Sequence, residues 1–259
     1  MSKRPSDIHL SVIIPAFNEA DRIEATLDRM TTYLDRQAYK SEVLVIVDGS
    51  TDQSISRVSR AALWRQYIQL LDNRVNRGKG YAVRRGMLTA RGQVLLFCDA
   101  DLSTPIDQVE RLLKALDEGY DVAIGSRGLR ESEIKVPQPW WRTLMGRVFN
   151  RLVQVLLLKG IQDSQCGFKC FKRDVALAIF PRQRIEQFCF DVEVLWIARK
   201  LGYRIAEVPV VWIRQPIKGR SLAEALRMFV DLFRIRLNDR RGIYVTPHPS
   251  MNERAETGM

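Results

Sequence analysis

Val94-Leu95-Leu96-Phe97-Cys98-Asp99-Ala100-Asp101 is an apolar run that stops at two carboxylates one residue apart. Five consecutive buried-type residues predict the central strand of a parallel sheet over 94–98. In open α/β sheets, ligands bind just outside the carboxyl ends of such strands. Aspartates at i and i+2 on the emerging loop can turn toward one hard cation, which can hold a diphosphate. The plainer reading is a strand end followed by a helix, with Ser103 or Thr104 as its cap and Pro105 in the first turn. The rest of the chain decides between them.

On the N-terminal side, Leu10 to Pro15 reads as a strand and Glu19 to Tyr33 as a helix, with Ile23, Leu27, Met30 and Tyr33 at helical spacing. Glu42 to Val47 is a second strand, followed by Asp48-Gly49-Ser50-Thr51-Asp52, where Thr51 or Asp52 can cap the next helix. A short strand is expected at 69–71. Asn76 to Gly80 is a glycine-rich loop opening a helix that ends near Arg91-Gly92. On the C-terminal side, 109–116 reads as helix and 122–125 as strand. This alternation predicts a parallel sheet with helices on both faces. Beyond Arg127 the spacing changes. Residues 131–138 are polar and read as a mobile loop. Long amphipathic helices are expected at 140–158 and 221–237, a helix at 184–201 and a strand at 205–213. The tail from Thr246 is polar and carries Pro247 and Pro249.

Hydrophobic residues make up 46% of the 259, enough for a full core. Cys98, Cys166, Cys170 and Cys189 lack paired zinc-type spacing and read as reduced, mostly buried thiols of a cytoplasmic protein. Met1 to Asp7 has no signal-peptide core, and no run reaches the roughly 18 apolar residues of a spanning helix. The formal charge of +11 directs attention to polyanions. Between Lys218 and Arg241 seven basic residues face three acidic ones. They flank apolar helical faces rather than alternating with exposed aromatics, which disfavours nucleic acid.

Three loops leave the carboxyl ends of neighbouring strands: Pro15-Ala16-Phe17-Asn18-Glu19, Asp48-Gly49-Ser50-Thr51-Asp52 and Asp99-Ala100-Asp101. Together they make an electronegative rim suited to a ribose diol, a base edge and a metal. Asn76-Arg77-Gly78-Lys79-Gly80 supplies the opposite sign, as backbone N–H groups and a lysine at a helix N-terminus.

Through these motifs the chain from Leu10 to Leu237 resembles the family 2 glycosyltransferases of the GT-A fold. Within that family it is most similar to the dolichyl-phosphate β-glucosyltransferases and their bacterial polyprenyl-phosphate relatives. Gly125-Ser126-Arg127, Lys159 to Lys169 and Phe190-Asp191-Val192-Glu193 carry the more specific likeness, above all Asp163-Ser164-Gln165-Cys166-Gly167-Phe168-Lys169. The resemblance implies an α/β GT-A domain over 8–240, with a nucleotide-sugar half (8–127), an acceptor half (128–240) and a flexible tail (241–259). It implies that Pro15, Glu19, Asp48 and Lys79 border the uridine nucleotide, that Asp99 meets ribose or metal, and that Asp101 holds Mg²⁺ or Mn²⁺ on the diphosphate. Arg127 would meet the acceptor phosphate, and Asp163 and Lys169 would lie at the acceptor end. Phe190, Asp191 and Glu193 would close the sugar pocket. The family has two consecutive aspartates before Gly-Ser; Val47 replaces the first here, leaving Asp48. Eukaryotic members also carry an N-terminal anchor. Without one, the amphipathic helices would supply contact with the inner face of the cell membrane.

The expected reaction is inverting transfer of glucose from UDP-glucose to a dolichyl or undecaprenyl phosphate. A lipid monophosphate is largely ionised near neutrality, with a second pKa of about 6, so it needs no strong base. Asp163 would then orient the acceptor or take up a residual proton. The alternatives are a polyprenyl-phosphate mannosyltransferase using GDP-mannose, and a family member with a soluble acceptor.

Overall fold

The computed structural model describes residues 7–135, 140–213, 215 and 222–245. Every residue of 94–98 is buried and forms a strand near the middle of a seven-stranded sheet. From one edge the strands are Ile68–Asp72 (β3), Ser41–Val47 (β2), Leu10–Ala16 (β1), Val94–Cys98 (β4), Phe168–Lys172 (β7), Val122–Ser126 (β5) and Ile205–Pro209 (β8). All neighbours run parallel except β7, which is antiparallel to both β4 and β5. Glu133–Ile134 (β6) and Val211–Trp212 (β9) form a separate two-stranded ladder.

Strand alternation divides the core in two. Ile13, Leu95, Phe97, Ile124 and Phe171 face one side, covered by Lys79–Thr89 (α3), Trp140–Leu156 (α5), Arg173–Ile179 (α6), Phe190–Lys200 (α7) and Leu222–Arg240 (α8). Val12, Ile14, Leu96, Cys98 and Phe168 face the other, under Ala20–Leu34 (α1), Ser54–Trp64 (α2) and Val109–Asp117 (α4). Helix α4 shows why such segments dock: Val109, Leu112, Leu113 and Leu116 are buried at helical spacing. Each contributes about 1.5–3 kcal/mol.

The mostly parallel α/β architecture matches the expectation, with several differences, the first being that the single strand expected over 205–213 is two, β8 in the main sheet and β9 in the small ladder. Strand β7 and helix α6 are not predicted from the sequence. The expected helix over 184–201 starts only at Phe190, and 183–189 is a loop with a 3₁₀ turn just before it. The expected polar loop holds strand β6, and its residues 136–138 lie outside the described residues. Neither Ser103 nor Thr104 caps a helix: Pro105 leads into a 3₁₀ turn without a side-chain cap, and the Ser103 N–H donates to Asp101 at 2.9 Å. Residues 241–245 continue from α8 with Tyr244 buried, while 246–259 lie outside the described residues. Neither Thr51 nor Asp52 takes the N-cap of α2, which falls to Gln53 without a side-chain cap; Asp52, one residue earlier, accepts from the N–H and hydroxyl of Ser54 at 2.9 and 2.6 Å. All four cysteines are free and buried.

Because β7 runs against its neighbours, its start pairs Phe168 with Cys98, at the carboxyl end of β4. The preceding segment 163–167 is thereby delivered to the same edge as Asp99 and Asp101.

Candidate active site

The loops after β1 and β2 are tied together. The Asn18 N–H donates to Ser50 Oγ, the Glu19 N–H to Ser54 Oγ and the Ala20 N–H to Asp52 Oδ2, while Asn18 Oδ1 accepts from the Thr51 N–H. Glu19 stands at the start of α1 and pairs with Arg22 at 2.8 Å. Pro15 lies beside Ile46 in the ladder. Val47, at the position of the family's first aspartate, is fully buried in the core.

Asp48 faces inward. Its carboxylate accepts from the backbone N–H groups of Arg77 and Gly78, the latter at 2.7 Å, and from Asn73 Nδ2 at 2.6 Å. This changes the reading of the glycine-rich loop as a phosphate cradle. The Arg77 and Gly78 N–H groups serve Asp48, and the Tyr81 N–H donates to the Glu186 carbonyl at 3.1 Å. The glycines are needed for close packing instead. Gly78 has φ +108, and a Cβ there would lie 2.5 Å from the Glu186 carbonyl oxygen. What the loop presents to the site is Lys79, whose ammonium pairs with Asp99 Oδ1 at 2.6 Å.

Asp99 and Asp101 follow β4 as expected. The Asp99 carboxylate lies against Gly167, where a Cβ would sit 2.0 Å from Oδ2, so a side chain there would displace this carboxylate. Burial, and then the charge of Asp99, push the Asp101 carboxyl above its ordinary value. Two crowded carboxylates with hard oxygen donors fit a divalent cation. Among the described residues no third His, Cys, Asp or Glu joins them in a group that could hold a metal ion. Asp101 also borders a cleft of about 260 Å³ that includes Arg22, Thr26, Arg29 and Gln215.

Across the edge, Arg127 follows β5 and grips Asp163 through two parallel bonds, Nε to Oδ2 at 2.6 Å and Nη2 to Oδ1 at 2.9 Å. The Arg127 N–H adds a third at 3.0 Å. Burial alone would raise the Asp163 carboxyl, but the charge and bonds of Arg127 outweigh it and hold the group below the usual carboxylate range. Sequence reasoning misses Glu207 on β8, which accepts from Ser126 Oγ and from the backbone N–H groups of Gln162 and Asp163. A lone acid inside the apolar strand Ile205-Ala206-Glu207-Val208-Pro209 is its available signal.

Lys169 and Asp191 meet in the interior. Lys169, 1% exposed, points from β7 and pairs with Asp191 Oδ1 at 2.5 Å while donating to the Cys166 carbonyl. Glu193, on the first turns of α7, is fully buried. Its Oε2 accepts from the N–H groups of Arg184 and Ile185 at 3.0 and 2.7 Å, and its Oε1 from the Tyr244 hydroxyl at 2.8 Å. It thus fastens both the 184–187 loop behind Lys79 and the segment after α8.

Burial pushes the Glu193 carboxyl from 4.5 up to about 7, against the bonds from Ile185, Tyr244 and Arg184. The unfolded chain releases this proton near 4.5 and the folded chain near 7, so folded protein holds more protons in between and loses stability as pH rises. The penalty above pH 7 is roughly 3 kcal/mol. Glu193→Gln, whose amide can bond the same groups, should melt several degrees above the wild type at pH 8 and near it at pH 5. Equal differences at both pH values in thermal melts would remove this carboxyl from the pH dependence.

Residues 11–180 match the family model described as glycosyl transferase family 2, and the chain belongs to that family. It is a glycosyltransferase of the GT-A fold. Among curated relatives, it is 38% identical to the dolichyl-phosphate beta-glucosyltransferase of Dictyostelium discoideum over 260 residues, covering 94% of this chain and 79% of the relative. The corresponding protein of Homo sapiens is 37% identical over 245 residues, covering 88% and 75%. Among solved structures, mannosyl-3-phosphoglycerate synthase from Rubrobacter xylanophilus superposes with TM-score 0.68 at 18% identity, covering 91% of this chain and 75% of that one. Glucosyl-3-phosphoglycerate synthase from Mycobacterium tuberculosis, in complex with Mn²⁺, UDP-glucose and phosphoglyceric acid, gives 0.65 at 19%, covering 93% and 81%. At these identities the structures speak for the fold alone.

Proposed function

We propose that the chain transfers glucose from UDP-glucose to a polyprenyl phosphate, dolichyl or undecaprenyl, with inversion to a β-linked product. The observation that carries this reading is the placement of Asp99 and Asp101 on the same sheet edge as the Arg127–Asp163 pair. Acids suited to a cation and a guanidinium suited to an anion then face one reaction space. The name shared by the curated relatives supports glucose and the lipid phosphate.

Asp99 and Asp101 would hold Mg²⁺ or Mn²⁺, which supplies charge neutralisation for the departing diphosphate. Lys79 adds a positive charge beside Asp99. Pro15, Glu19 and Asp48 shape the nucleotide side. Arg127 offsets the repulsion between two phosphorylated substrates, a task suited to a planar guanidinium. Asp163 orients that guanidinium. Its depressed pKa suits a positioning role better than proton uptake, and an ionised phosphate nucleophile has little proton to give. Lys169, Asp191 and Glu193 support the pocket wall from within.

Membrane contact falls to the outer faces of α5 and α8, which meet through Phe149 and Phe229 at a 5.4 Å centroid distance. Leu144, Val148 and Val155 on α5 are exposed, as are Leu226, Val230, Phe233 and Leu237 on α8. Exposed Arg147, Arg151, Arg227 and Arg234 flank them. Apolar stripes beside arginines suit an anionic lipid surface, each charge contributing about 1 kcal/mol. No helix among the described residues is long and apolar enough to cross a membrane.

The test offers the purified chain UDP-glucose, UDP-galactose and GDP-mannose with a short polyprenyl phosphate and Mn²⁺. Label should pass to lipid from UDP-glucose at least tenfold faster than from the others. Transfer from GDP-mannose alone would overturn the glucose assignment.

A further inference from the structure

We propose that Glu207 is a positioning residue that sets the acceptor end of the site by holding both halves of the Arg127–Asp163 pair from behind. Strand β8 places it beside Ile124 of β5, two residues before Ser126. Its Oε1 accepts from Ser126 Oγ at 2.6 Å and from the Asp163 N–H at 2.7 Å, and its Oε2 from the Gln162 N–H at 2.8 Å. Ser126 Oγ in turn accepts from the Gly128 N–H at 3.2 Å.

One carboxylate thus grips the residue before Arg127 and the backbone of Asp163. Bonds to an ionised acceptor are shorter and stronger than neutral ones, and these converge on one side chain. The Arg127 guanidinium, which also lies over the Trp212 ring at 5.6 Å, is held by its two bonds to Asp163, so an error in the 162–163 backbone passes to it. Small displacements of positioning groups cost disproportionately in rate or binding. A carboxylate that acts through Ser126 and the 162–163 backbone therefore sets how well Arg127 is aimed. This inference rests on the reading of Arg127 as the acceptor-phosphate group.

The experiment measures steady-state kinetics of the full chain with UDP-glucose and a short polyprenyl phosphate, for Glu207→Ala, Glu207→Gln, Ser126→Ala, Arg127→Ala and the Glu207→Ala/Arg127→Ala double variant. Glu207→Ala should raise the acceptor KM about tenfold and leave the donor KM within about twofold, with Glu207→Gln and Ser126→Ala intermediate. The double variant should match Arg127→Ala alone, because the two residues act through one group. A Glu207→Ala change confined to kcat, equal effects on both KM values, or multiplicative effects in the double variant would overturn the proposal. Should Glu207→Ala fail to fold, Ser126→Ala and Glu207→Gln decide by the same split in KM. If Arg127→Ala leaves the acceptor KM untouched, the acceptor reading fails on its own. Glu207 then stands only if its variants move the parameter that Arg127→Ala moves, with no further loss in the double variant.

Discussion

Asp101→Asn is expected to lower turnover about a thousandfold while leaving the fold intact. Neutralising the developing charge on a leaving diphosphate contributes several kcal/mol, and each 1.4 kcal/mol is about tenfold in rate. Asparagine keeps the shape and an oxygen that can accept from the Ser103 N–H, so the local turn survives. Because burial and Asp99 already disfavour the Asp101 charge, its removal should hold or slightly raise the melting temperature. The paired readout separates lost chemistry from lost structure. Turnover within tenfold of wild type at saturating Mn²⁺, or a melting temperature that drops by many degrees, would refute the assignment.

The second large effect is on stability. Lys169 and Asp191 are both buried, so Lys169→Met strands a carboxylate in the core. Breaking a buried pair by removing one partner costs about 3–5 kcal/mol, whereas removing both charges is often neutral. Lys169→Met should therefore melt roughly 6–20 °C below wild type, at about 2–4 °C per kcal/mol for a chain of this size. Adding Asp191→Asn should restore at least half of that loss. Equal melting temperatures for the single and double variants in calorimetry would show that the pair is not what the substitution breaks.

Lys169 also marks where sequence reading reaches its limit. Strand β4 is legible because five apolar residues in a row, ended by a polar loop, fit a buried strand and little else. Its two following aspartates stand where the sheet rule puts ligands. Strand β7, Phe168-Lys169-Cys170-Phe171-Lys172, is illegible as an interior strand because a lysine sits in it. Only a carboxylate 22 residues later makes that lysine compatible with burial. The glycine-rich loop misleads for a related reason. Its local chemistry matches a phosphate cradle, but Asp48, 29 and 30 residues upstream, takes the Arg77 and Gly78 donors. The helix expected over 184–201 begins too early because Ile185, Phe188 and Cys189 continue the apolar spacing, while Glu193 pulls 184–185 into a loop. Arg127 and Asp163 are each legible as motif residues. Their pairing, and Glu207 behind them, depends on the antiparallel entry of β7.

The central claim is the chemical identity of the product. Purified protein, UDP-glucose, Mn²⁺ and a short polyprenyl phosphate should yield a lipid whose mass exceeds that of the acceptor by one hexose residue. Proton NMR of that lipid should show a β-linked glucosyl phosphate, opposite in anomeric configuration to the donor. An α-linked product would contradict inversion, and free glucose with unmodified lipid would contradict the acceptor.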